Sequence, residues 1–121
     1  MQRTSLATLT ASEAAQKMRG GLVTSEELVQ DCLERIRATE PIVHAWQFLD
    51  EEHAIRQARA ADERHRSGVA VGALNGIPVG IKDIIDTGDM PTENGTVLHK
   101  GRMPPADAAV VAKLRAAGAV I

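Results

Sequence analysis

Lys82 is the residue whose setting calls for a chemical explanation. It sits near the end of Asn75-Gly-Ile-Pro-Val-Gly-Ile-Lys-Asp-Ile-Ile-Asp86, a largely apolar, glycine-spaced run. An extended backbone sends alternate side chains to opposite faces, so Ile77, Val79 and Ile81 share one side while Gly76, Pro78, Gly80 and Lys82 share the other. That second face is bare except for an ammonium group, and its glycines leave room for another group to approach the backbone. A lysine guarding an edge strand against aggregation would show the same pattern, with Pro78 also suited to an edge. Spacing alone leaves both readings standing.

Glycines ahead of a lysine suggest a phosphate-binding loop, but that loop needs GxxxxGK followed by Ser or Thr. Here Ile81 separates Gly80 from Lys82, and Asp83 follows. No dinucleotide fingerprint occurs either. Desolvation disfavours the charged form of a lysine, and a neutral amine can accept a proton. Such an amine can act as general base toward a serine hydroxyl, directly or through a relay, the Ser-Lys form of acyl transfer. The serines Ser5, Ser12, Ser25 and Ser67 all lie in or beside expected helix caps or ends, where structural roles are preferred. The nucleophile is therefore not expected among them. Cys32 falls on an apolar helical stripe and reads as a buried, inert thiol. None of His44, His53, His65 and His99 has a partner at metal-binding spacing.

The elements that must position Lys82 follow from local signals. Residues 1–8 carry no clear period and are expected to be loose. Thr10-Ala-Ser-Glu13 has the capping-box spacing and opens a short helix to Arg19, which Gly20-Gly21 stops. Thr24-Ser-Glu-Glu27 repeats the box and opens a longer helix with Leu28, Val29, Cys32, Leu33 and Ile36 on one face. Pro41 is expected to end it, because the residue before a proline is pushed from the helical region. Ile42 to Leu49 fits a short strand about as well as a loop. Asp50 can cap a third helix to about His65, acidic at its start and basic at its end, with a thin face of Ala54, Ile55, Ala58 and Ala61. Gly68 and a turn at Asn75-Gly76 lead into the Lys82 strand.

After Asp86 some twenty residues carry little apolar period, a connection that is usually functional or disordered. Asn94-Gly-Thr96 within it reads as a turn. A helix is expected from Ala106, with Asp107 near its start, Val110, Val111, Leu114 and Ala117 on one face and Gly118 past its end. Ala119-Val-Ile121 begins a second strand. Strand, loop, helix, strand is the order of a right-handed parallel crossover, which belongs to a larger sheet. The fold class is therefore α/β: amino-terminal helices over about 9–67, then the first part of a mixed, largely parallel sheet over about 70–121. Two or three strands are too few to bury one another, so the sequence is expected to be the front part of a single longer domain, or the product of a truncated reading frame.

Composition excludes some partners. The 121 residues carry 14 basic and 16 acidic side chains, a net charge of -2, with no long run of one sign. That argues against nucleic acid as an electrostatically driven partner. No apolar run reaches the roughly 18 to 20 residues of a membrane span, and residues 1–20 lack a secretory core, so a cytoplasmic protein is expected.

The run Leu74-Asn-Gly-Ile-Pro-Val-Gly-Ile-Lys82-Asp83, then Met90-Pro-Thr92, Gly95-Thr96 and Asp107 through Ile121, resembles the amino-terminal part of the amidase signature enzymes. These hydrolyse carboxamides with a Ser, cis-Ser, Lys triad. The resemblance implies that Lys82 is the triad base at the far end of the proton relay, that no metal or organic cofactor takes part, and that the substrate is a small amide. The complete protein would be a possible homodimer. Gly95-Thr96 stands where the family usually has Gly-Ser. The bridging serine, the nucleophile and the oxyanion hole would lie beyond Ile121, so the 121-residue chain is expected to be inactive alone. The same resemblance admits the A subunit of a glutamyl-tRNA amidotransferase-like complex. From another class, a non-catalytic helical interaction module would use the apolar faces of the helix at Thr24 to Ala38 and of the thin third helix, both of which need covering.

Overall fold

Among the described residues four α-helices accompany the extended run that carries Lys82. The computed structural model describes residues 5–121, so the expected loose start falls partly outside the described residues. From Ser5 onward the chain is held: Leu6–Thr8 forms one 3-10 turn. The Ser5 hydroxyl and the Ala7 N–H both donate to Asp31 Oδ2 at 2.7 Å.

Helices α1 (Ala11–Arg19) and α2 (Ser25–Val43) start where their capping boxes place them. Thr10 Oγ1 accepts from Glu13 N–H at 3.2 Å while Glu13 accepts from Thr10 N–H at 2.8 Å. Thr24 and Glu27 repeat the exchange at 3.1 and 2.9 Å. Helix α3 (Glu51–Arg66) is capped by Asp50, which accepts from His53 N–H at 2.9 Å. Asp62 of α3 then adds a second cap to α2, taking the N–H groups of Ser25 and Glu26 at 2.7 and 3.0 Å.

Pro41 does not end α2. The helix runs on to Val43 and closes at His44, whose left-handed φ of 51° turns the chain. A proline in the last turn forfeits one N–H bond and leaves the earlier turns intact, so a packed helix can tolerate it. Ile42 and Val43, expected in a strand or loop, are thus helical, and residues 44–50 form a loop.

Helix α2 is the spine of the molecule because its apolar positions face two ways. Leu28 packs in a cluster with Ala14 of α1 and Ile77 of the extended run. Val29 and Leu33 pack with Ala58 of α3 and Val120. Ala58 and Ala61 are fully buried, and side chains this small let α2 and α3 lie close together.

The expected sheet is represented among the described residues by one parallel bridge, Pro78 with Val120. Val120 N–H donates to Ile77 O at 2.9 Å and Val79 N–H donates to Val120 O at 2.8 Å. The pairing uses the neighbours of Pro78, so the proline's missing donor lies on the opposite edge, where it costs this ladder nothing. Gly76 N–H adds a contact to Gly118 O at 2.9 Å, outside the ladder because Ile77 N–H turns back to Leu74 O. No longer ladder forms among the described residues, and past Val79 the run turns at Lys82, whose carbonyl accepts from Ile85 N–H at 2.9 Å.

Helix α4 (Ala109–Ala116) begins later than the sequence suggests and has no side-chain cap. Asp107 does not serve the helix start; it accepts from Gly88 N–H at 2.7 Å and from Arg115 Nε at 2.9 Å. The connection from 87 to 106 is ordered by polar contacts of this kind. Arg102 grips Asp86 at 2.8 and 3.2 Å, and Thr92 N–H donates to Arg102 O at 2.9 Å. Asn94 and Gly95 form the expected turn, with φ of 55° and 68°.

Candidate active site

Lys82 ends the extended run at the rim of a cavity of about 620 Å³, which it lines with Trp46, Phe48, Gly80, Met90 and Thr92. The lysine is exposed and enters none of the ion pairs among the described residues. Its amine is thus available to a group brought into the cavity.

The bare face of the run is cleared for identifiable neighbours. A Cβ at Gly80 would lie 3.1 Å from Trp46 Cη2, so the indole rests on the backbone two residues before the lysine. At Gly76, φ is 79° and a Cβ would lie 2.7 Å from the Ser25 side chain. The Ser25 hydroxyl, itself buried, donates to Gly76 O at 2.6 Å. Spacing showed that room was left but not that an indole and a hydroxyl take it, because both come from segments distant in sequence.

Asp83 shapes the other side. Its carboxylate accepts from Glu93 N–H at 2.9 Å and, at a longer 3.4 Å, from Gly95 N–H. Glu93 accepts in turn from Gln47 Nε2 at 2.9 Å, which ties the Trp46 loop to the same turn. None of Asp83, Glu93 and Gln47 was singled out by the sequence. The available signal was Asn94-Gly95, a pair that readily turns left-handed.

Three of the four serines are engaged elsewhere, and Ser12 lies exposed in the first turn of α1. Ser5 donates to Asp31, Ser25 to Gly76 O, and Ser67 to Arg64 O at 2.9 Å. Thr96, in the position where Gly-Ser was expected, accepts from Leu98 N–H at 3.3 Å and caps the 3-10 turn Val97–His99. Burial pushes the Cys32 thiol upward, as an inert thiol requires, and the Asp31 charge adds to the rise. The Arg102 guanidinium holds Asp86 below its ordinary range.

This arrangement supplies an accessible amine beside a mostly apolar recess, on a segment braced from both sides. The family description Amidase matches residues 27–121. The chain belongs to the amidase signature family. It is similar to the A subunit of the glutamyl-tRNA(Gln) amidotransferase of Chloroflexus aggregans, with 47% identity over 98% of this chain and 24% of that protein. Among solved structures it is similar to the peptide amidase of Stenotrophomonas maltophilia, with TM-score 0.87 and 34% identity over 94% of this chain and 24% of that one. Similarity to a fatty acid amide hydrolase reaches TM-score 0.89 and 26% identity over 95% of this chain and 20% of that one. The chain thus spans about a quarter of the length of the curated relatives it matches. No helix among the described residues is long and apolar enough to cross a membrane.

Proposed function

We propose that this chain is the lysine-bearing part of an enzyme that hydrolyses the C–N bond of a carboxamide, with Lys82 as the base of a Ser, cis-Ser, Lys relay. The observation that carries the reading is the accessible Lys82 amine lining the cavity at the end of a glycine-cleared run, in a chain of this family. Both serines and the oxyanion hole would come from polypeptide outside these residues, and a base without them has no route to an acyl intermediate. The 121-residue chain alone is accordingly inactive. Turnover of simple carboxamides by the purified chain, abolished by Lys82→Ala, would show that inactivity to be wrong. In the complete polypeptide, Lys82→Ala should lower kcat by about three orders of magnitude or more, as loss of a member of such a constellation does. An unchanged kcat would remove the base assignment.

A second reading is favoured by the curated relatives, several of which are named as the A subunit of a glutamyl-tRNA(Gln) amidotransferase. On that reading the amide nitrogen is released as ammonia for use on an aminoacylated tRNA, and nucleic acid enters through the complex. An assay with and without the other proteins of such a complex separates the two: hydrolysis independent of partners supports the amidase. A free-standing helical interaction module has lost its main support, since Leu28, Val29 and Leu33 of α2 are buried inside the chain.

A further inference from the structure

Lys82 is followed by a carboxylate that enters no ion pair among the described residues. Asp83 instead directs three acceptors at one distant turn. Oδ1 accepts from Glu93 N–H at 2.9 Å, Oδ2 from Gly95 N–H at 3.4 Å, and the carbonyl from Asn94 N–H at 2.9 Å. Asn94 and Gly95 are successive left-handed residues, and the tight turn they make presents the N–H groups of residues 93 to 95 to Asp83. Their acceptor is the residue next to the lysine.

The turn reaches back to the lysine by a second route. Glu93 Oε2 accepts from Gly101 N–H, while Oε1 accepts from Gln47 Nε2 at 2.9 Å. Gln47 adjoins Trp46, which rests on Gly80, two residues before Lys82 on the same face. The contacts close a ring that runs from Asp83 through the 93–95 turn, Glu93, Gln47 and Trp46 to Gly80.

We infer that Asp83 is a positioning residue for Lys82: by binding the 93–95 turn it closes this ring and fixes the backbone from which the lysine reaches the cavity. The inference rests on the reading of Lys82 as the base. Misplacing a reacting group by about an ångström can cost up to roughly a hundredfold in rate, so a brace of this kind acts on the chemical step rather than on binding.

The test is steady-state kinetics on the complete polypeptide, with rates normalised to folded enzyme and thermal midpoints measured alongside. Asp83→Ala should lower kcat about tenfold or more while KM stays within about twofold, the pattern of a lost transition-state interaction. Asp83→Asn keeps one carbonyl acceptor and should recover part of the loss, which also covers the case in which the alanine variant does not fold. Asp86→Asn breaks the Arg102 pair in the same loop and should lower the thermal midpoint with kcat unchanged. Lys82→Ala with full activity would sink the base assignment itself. An inactive Lys82→Ala beside Asp83 variants of undiminished kcat would overturn the positioning role alone. So would kcat losses that track the fall in thermal midpoint equally in the Asp83 and Asp86 variants.

Discussion

Gly80 and Gly76 show how single missing methyl groups shape the site. At Gly80 an added Cβ meets the rim of the Trp46 ring at 3.1 Å, and the ring is partly exposed, so it can move by a few tenths of an ångström. Gly80→Ala should therefore cost little stability but shift the emission of Trp46, the single tryptophan, to the red as the indole is pushed toward water. An unmoved spectrum would mean that the indole does not rest there in solution. Gly76 has no such freedom. Its φ is 79° and a Cβ would sit 2.7 Å from the buried Ser25 side chain. Left-handed strain and overpacking together predict a loss of about 2 to 4 kcal/mol for Gly76→Ala. Urea unfolding measures it, and a loss below about 1 kcal/mol, the size of the left-handed strain alone, would show that Ser25 yields. A glycine beside a lysine is visible in a sequence, but the group it makes room for is not.

At the scale of elements, the start of α2 carries more than its local capping box. Thr24 supplies the usual acceptor, and replacing an N-cap threonine by alanine typically costs about 1 kcal/mol. Asp62 comes from α3 and serves two further N–H groups, those of Ser25 and Glu26. Asp62→Ala leaves both without a protein acceptor at a buried helix end, for an expected loss of about 1 to 3 kcal/mol. It should also loosen α3 from α2, which amide exchange at Ser25 and Glu26 would report. Exchange no faster than in the parent chain would show that water replaces the carboxylate freely. The contrast explains what was legible. Helix starts at Thr10, Thr24 and Asp50 rest on contacts three residues apart, which a sequence displays. The end of α2 differs from the proline rule because Pro41 falls in the last turn, where it forfeits a single N–H bond and the helix can run two residues further before His44 turns left-handed. The order of residues 87–106 was invisible for the converse reason: Asp86 with Arg102, and Gly88 with Asp107, are pairs 16 and 19 residues apart that no periodicity announces. Lys82 and its cleared face were legible; Trp46, Asp83 and the Glu93–Gln47 link depend on the fold.

For the whole molecule, surface carboxylates hold distant segments together, and this sets how stability responds to acid. Glu51 pairs with Arg37 to join α3 to α2, and Glu26 pairs with Arg59 to join them again. Asp86 pairs with Arg102 across the long loop, and Glu13 closes the first capping box. Hydrogen bonds from these partners hold all four carboxyls below their ordinary values, 4.5 for Glu and 3.8 for Asp. In the unfolded chain each returns to that value and takes up protons at a higher pH than in the fold. The unfolded state then binds more protons as pH falls, so stability rises with pH through this window. The contribution is complete above about pH 5 and is lost progressively as pH drops through the depressed folded values. We therefore expect the urea midpoint to be nearly level between pH 7 and 5 and to fall steeply below about pH 4. The groups are solvent-exposed, so moderate salt should shrink the difference between neutral and acid midpoints. A midpoint unchanged from pH 7 to pH 3 would mean that these pairs do not hold the segments together. Packing around α2 would then carry the stability alone.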